Sequence, residues 1–279
     1  MDFWLFRVSV ALILLAAGGL IVFSINQQKP VFIWSLRLLW IGYICLTLLL
    51  LFQYRQMGVA PVLTFRAALV FFAWAVLGAY LFLYLKFKLM ILGSFIAPPA
   101  AGLLILSLLV TAPELTIHPA LKNPWLSLHI LTSVLGNGML SVTFVTAVMY
   151  LLQERHIKHK RFGSLYKRLP SLETLDNISR YSLIFGFALL TIGIITGSVY
   201  AQSALGTYWQ WDSKEVWTLI VWLIYAILLH ERFAVGLRGR KAAWLSILAF
   251  LFLIFSFIGV NFWFSDYHRF ENLLRLPLL

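Results

Sequence analysis

Eight apolar runs, each about as long as a bilayer is thick, constrain this chain more than any other feature. A hydrocarbon core of about 30 Å takes about 20 helical residues to cross. Inside it every backbone polar group must be satisfied internally, which leaves helices or closed barrels. The runs fall at roughly 3–25, 31–52, 65–85, 89–110, 125–152, 178–200, 216–233 and 242–264. No strand alternation, low-complexity tract or internal repeat is visible, so the expected fold is all-α: a polytopic membrane protein of about eight transmembrane helices. Charge is scarce in keeping with this. The chain is 62% hydrophobic and 11% charged, against about 45–50% and about 25% in soluble domains. All 279 residues then form one integral membrane domain, with a four-helix N-terminal part (1–110) and a second part (111–279).

The net charge of +12 resembles a nucleic-acid footprint, but its placement argues for topology instead. Under strict alternation of the spans, Arg155, Lys158, Lys160, Arg161, Lys167 and Arg168 lie on one side of the membrane. Arg232, Arg238, Arg240 and Lys241 join them, with Lys29, Lys86 and Lys88. The opposite side has only Arg7, Arg55, Arg66, Lys122, Lys214, Arg269 and Arg275. The positive-inside rule makes the first set cytoplasmic and puts both termini outside. The basic surplus is therefore a topology signal, and no nucleic-acid partner is expected. The opening stretch MDFWLFRVSV has no basic n-region, so it is read as a retained first span. The single cysteine, Cys45, excludes an intrachain disulfide and a cysteine metal site, and no C-x-x-C-H haem-attachment motif is present. The run APPAAG (97–102) predicts a kink in span four, with small residues that admit a neighbouring helix.

Alternation places three outward segments together: 111–124, 201–215 and 265–279. The middle one is unusual. GTYWQWDSKEVW (206–217) sets Tyr208, Trp209, Trp211 and Trp217 among Asp212, Lys214 and Glu215. Water gives little reason to spend indoles there, and lipid gives none to hold the charges. Of six histidines, His156 and His159 fall in the basic loop and His118 beside Pro119 in an outward loop. His129, His230 and His268 sit at or just beyond span ends, where ionisable groups are costly and usually functional. His129 and His268 share the face of the tryptophan loop. Two neutral imidazoles from opposite directions suit a six-coordinate haem iron. The porphyrin between them is a flat apolar disc that stacks on indole and phenol rings.

Tyr208, Trp209 and Trp211 would form its shelf, with Gly206 allowing close backbone approach. Lys214, Arg269 and backbone N–H groups are donors for the propionates. Asp212 and Glu215 have two readings. Either they stand behind the ligand, or Asp212 caps the helix from Ser213 with Glu215 in its first turn. His230 is eighteen residues from Asp212, about 27 Å of helix, and cannot reach the same iron. It needs a second ligand from another chain or an open position; alternatively it pairs with Glu231.

GTYWQWDSKEVWTLIVWLIYAILLH (206–230) resembles the tryptophan-rich WWD signature of haem-handling proteins, in the CcsA/ResC form of the system II cytochrome c synthases. PWLSLHILTSVLGNG (124–138) and GVNFWFSDYHRF (259–270) are similar to the segments that carry that family's two external haem histidines. The stretch 71–100 is family-like as well. The resemblance implies that residues 111–279 form a haem-handling core. It implies haem b in transit, held non-covalently, with His129 and His268 as external axial ligands and His230 as the inner one. The second inner ligand would come from a ResB/CcsB-like membrane partner. It also places Gly206, Tyr208, Trp209, Trp211, Asp212, Lys214, Glu215, Trp217 and Trp222 in the haem-binding signature. Haem would cross a bacterial plasma membrane and meet, at an extracytoplasmic loop, the C-x-x-C-H site of an apocytochrome c. The family pattern has Trp before the glycine, where this chain has Leu205.

Two other readings remain open at this level. A HemX-type protein would bind haem or regulate haem biosynthesis without attaching anything. A secondary transporter is disfavoured, because the spans are expected to hold no Asp or Glu and no inverted repeat is visible.

Overall fold

The computed structural model describes residues 2–111, 119–160 and 163–259. Eight of its helices are long and apolar enough to cross a membrane, and no strand occurs among the described residues. The chain is a polytopic all-α membrane protein. The helices are α1 (Asp2–Asn26), α2 (Lys29–Met57), α3 (Phe65–Phe87), α4 (Met90–Leu109), α5 (Pro124–Lys158), the short α6 (Ser164–Arg168), α7 (Leu172–Leu205), α8 (Ser213–Phe233) and α9 (Gly239–Ile254). A π-helical turn, Phe255–Gly259, continues α9.

Helix starts follow capping chemistry. The side chains of Thr64, Asn123, Ser171 and Asp212 each accept a backbone N–H from the first turn of α3, α5, α7 and α8, satisfying donors a helix cannot pair internally. Gly58 and Gly206 end α2 and α7 in the left-handed conformation. Ties between distant segments fix the alternation. At the basic end, Arg168 donates to the Ser24 carbonyl at 2.9 Å, and Lys86 reaches Tyr181. At the other, tryptophan end, Asn123 donates to Ser203 at 3.1 Å and Ala60 N–H to Ser127 at 3.3 Å.

The helices overrun the apolar windows. α5 has 35 residues and α7 has 34, about 50 Å each, so their ends stand beyond a hydrocarbon core of about 30 Å. This corrects the expectation that spans carry no acid. Glu154 lies in α5, Glu173 and Asp176 in α7 and Glu215 in α8, all in end turns beyond the apolar windows, while Glu231, in the last turn of α8, falls inside the 216–233 window itself. Arg232, one of the cations of the basic side, is buried at 6% exposure. Its Nη1 lies 3.5 Å from Asp176, and a lone guanidinium could not be buried so cheaply.

α4 runs through Pro98 and Pro99 without ending. Its small face is used as expected: Ala97, Ala100 and Ala101 are buried, and Ser94 donates to the Leu20 carbonyl of α1 at 2.7 Å. α5 is the central helix, packed on α3, α7 and α9. Its seam with α7 is made of small residues. A Cβ on Gly136 would stand 2.9 Å from the Leu190 backbone N, one on Gly186 2.7 Å from Leu140, and one on Gly193 2.3 Å from Ser133. Such residues let helix backbones approach where lipid offers no hydrophobic drive.

Candidate functional site

The upper end of the α5–α7 seam holds His129. A Cβ added to Gly197 would stand 2.6 Å from the His129 Nδ1, so the imidazole fills a notch that only glycine leaves open. Its Nδ1 lies 2.6 Å from the Gly193 carbonyl oxygen. A carbonyl can only accept, so Nδ1 carries a proton, and in the neutral ring the lone pair is on Nε2. This is the arrangement in which a backbone carbonyl fixes the tautomer and orientation of a ligating histidine. Gly193 and Gly197, four residues apart, were not singled out from the sequence. GIITG (193–197) is a small-x-x-x-small pattern that could have pointed to them.

The tryptophan loop leaves α7 at Gly206 (φ +75°) and enters α8 at Asp212. Asp212 Oδ1 accepts the Glu215 N–H at 2.7 Å. Glu215 reaches back, and its Oε2 accepts the N–H groups of both Gln210 and Trp211 at 2.8 Å. Two successive N–H groups converging on one carboxylate oxygen form a small anion nest, and charge assistance strengthens both bonds. The clamp sustains Trp211 at φ +59°, a conformation that costs a non-glycine residue about 1–3 kcal/mol. The acidic pair therefore does take the capping role; Glu215 additionally holds the loop backbone.

Within the loop, Tyr208 and Trp211 are 64% and 73% exposed, and Trp209 is half-buried. The indoles of Trp209 and Trp211 stand edge to face, with centroids 6.0 Å apart at 77°. They make a corner, with one ring's face against the other's edge. The Trp209 Nε1 is buried without a hydrogen-bond partner, a donor that the described residues leave unused. Lys214 is half-buried in the first turn of α8. It feels the charge of the Asp212 carboxylate but makes no salt bridge among the described residues.

The other aromatic positions pack inward. Trp217 lies edge-on to Phe255 at 4.7 Å. Trp222 stacks on Phe187 at 5.3 Å and donates its indole N–H to Thr191 at 2.9 Å, joining α8 to α7. His230 is exposed near the opposite end of α8. Its ring makes no hydrogen bond or ion pair among the described residues, and Glu231 does not pair with it; adjacent helical residues do not face each other. His118, His268 and Arg269 lie outside the described residues.

A chain with this loop, this helix alternation and this histidine invites comparison with known proteins. The family model of cytochrome c assembly proteins matches residues 62–268. The chain belongs to that family. Its match takes in α3 and α4 together with the loop and the three histidines discussed above. Among curated relatives, a cytochrome c biogenesis protein CcsA of Guillardia theta is 34% identical over 238 residues, covering 78% of this chain and 79% of that protein. A CcsA of Prochlorococcus marinus (strain MIT 9312) is 30% identical over 262 residues, covering 86% and 84%. The fold is also that of a solved cytochrome c haem lyase, CcmF. The TM-score is 0.63 at 16% identity, and the likeness covers 99% of this chain and 48% of that one. This chain thus spans about half of the CcmF chain, and the likeness speaks for the fold alone.

Proposed function

We propose that this chain presents haem for attachment to an apocytochrome c, as the CcsA-type subunit of a system II cytochrome c synthase in a bacterial plasma membrane. One observation carries the reading. The His129 imidazole is held in a glycine notch with its proton committed to the Gly193 carbonyl, at the membrane face that bears the tryptophan loop. In the neutral ring this tautomer carries its lone pair on Nε2, the form in which imidazole binds iron.

Haem is the cargo, held non-covalently through iron on His129 and, from the C-terminal segment, His268. Trp209, Trp211 and Tyr208 offer ring surface beside it. The partnerless Trp209 N–H and the Lys214 ammonium are donors of the kind propionates need. The clamp from Glu215 fixes the loop before cargo arrives, so binding spends little on ordering it. Attachment adds each cysteine S–H of a C-x-x-C-H site across a haem vinyl group. Sulfur bonds one carbon, hydrogen the other, and no oxidant is consumed. His230, exposed and without a partner, awaits an axial ligand from a ResB/CcsB-like protein, and the basic end faces the cytoplasm.

The experiment is co-expression with a ResB-like partner and a C-x-x-C-H reporter. Covalent haem on the reporter is the expected result. A chain that retains haem yet never yields covalent product, with the partner present, is a HemX-type carrier instead.

A further inference from the structure

The charges at the basic end of α7 and α8 do not balance. Asp176 and Arg180 are one turn apart on α7, a spacing at which acid and base commonly pair. Here Asp176 is turned to the buried Arg232, whose Nη2 also donates to Ser179 at 3.2 Å. Arg180 has no carboxylate partner among the described residues. It is half-buried, and near enough to Arg232 for the two cations to repel each other. Its guanidinium lies instead 5.7 Å from the centroid of the Phe233 ring on α8.

Phe233 is three residues beyond His230, so the two share one face of α8, and both are exposed. The outer side of the α7–α8 pair therefore carries an imidazole, a phenyl ring one turn further on, and an arginine over that ring. One helical turn is about 5.4 Å, comparable with the reach from the centre of a porphyrin to its rim. We propose that Arg180 is the carboxylate anchor of the inner haem site: with iron on His230, a propionate pairs with the Arg180 guanidinium beside Phe233. This rests on the reading of His230 given above. A propionate would supply the missing negative charge at a membrane edge, where an unpaired cation is costly. Arginine's planar fork suits a carboxylate better than a lysine would.

The test uses the full chain in lipid nanodiscs in a His129→Ala background, so that the inner site dominates. Ferric haemin and its dimethyl ester, which lacks the carboxylates, are titrated separately and followed by the Soret band. The free acid should bind about tenfold more tightly than the ester, the scale of one charge-assisted bond. Arg180→Gln should abolish that preference by weakening haemin alone, and Arg180→Lys should keep part of it. Equal affinity for acid and ester overturns the anchor without any change at Arg180, so misfolding of a variant cannot shelter it. A preference that survives Arg180→Gln overturns it too. So does loss of a co-purifying anionic phospholipid, seen by mass spectrometry, with the preference intact; Arg180 is then a lipid contact. His230→Ala leaving both titrations unchanged would instead sink the inner-site reading itself.

Discussion

His129 and His230 stand near opposite ends of the same bundle, and the protein treats them differently. The first is half-buried between two helices of its own chain, backed by Gly197 and hydrogen-bonded to Gly193. The second projects from α8, with no side-chain partner among the described residues. One imidazole is oriented by its own chain, and the other is left unheld by the described residues. The difference teaches where the chain is self-sufficient. The tryptophan end is braced from within; under the proposed function the basic end is completed from outside.

Breaking the braced end should have the largest effect. His129→Ala should cost more than about a hundredfold in haem affinity at the tryptophan end, exceeding the range for loss of a supporting residue. Free imidazole should restore the low-spin spectrum. Absence of rescue at normal haem content would remove His129 from the iron. His230→Ala should leave that spectrum unchanged. Gly197→Ala comes next. Its new methyl meets the imidazole at 2.6 Å, so the ring must turn, and affinity should fall about tenfold. Gly102→Ala, with nothing within 4 Å of the added carbon, is the control. If the two behave alike, the notch does not orient the histidine.

A smaller effect is expected from the clamp. Glu215→Ala removes the acceptor shared by the Gln210 and Trp211 N–H groups. Hydrogen exchange at those two amides should quicken about tenfold or more. Haem retention should fall less than with Trp209→Ala, since the loop loosens but keeps its rings. Equal losses would give Glu215 a direct part in holding the cargo.

Much of this was legible in the residues, and the exceptions share a cause. Apolar run length marks the spans because it measures the bilayer, and for the same reason it misses what lies beyond. The polar turns of α5 and α7 past the bilayer carry Glu154 and Asp176 outside the windows, whereas Glu231 lies at the polar end of the 216–233 window itself. Charge counting places Arg232 among the cations of the basic side and is blind to its partner 56 residues earlier in the chain, Asp176. The Asp212 cap was readable because N-cap and acceptor are local. The partner of His129 was not, for it is a backbone carbonyl on another helix, contributed by a residue with no side chain. What could be read was the glycine pair that lets that carbonyl come close.

The smallest prediction is also the one that separates cap from ligand. Asp212 accepts the Glu215 N–H, and asparagine caps about as well as aspartate. Asp212→Asn should therefore cost only a few tenths of a kcal/mol in thermal stability, most of it from the lost interaction of charge with the helix N-terminus. Asp212→Ala should cost about 1 kcal/mol, because the N–H is then left to water or to nothing. Haem affinity should follow the same order, since the cap acts only by seating the first turn of α8 and, through Glu215, the loop before it. If Asp212→Asn instead lowers haem affinity as far as Asp212→Ala while melting like the parent protein, the charge matters apart from the fold. The carboxylate would then belong to the cargo site, and the contrast between a loop fixed from within and a histidine completed from outside would have to include an acid that serves both.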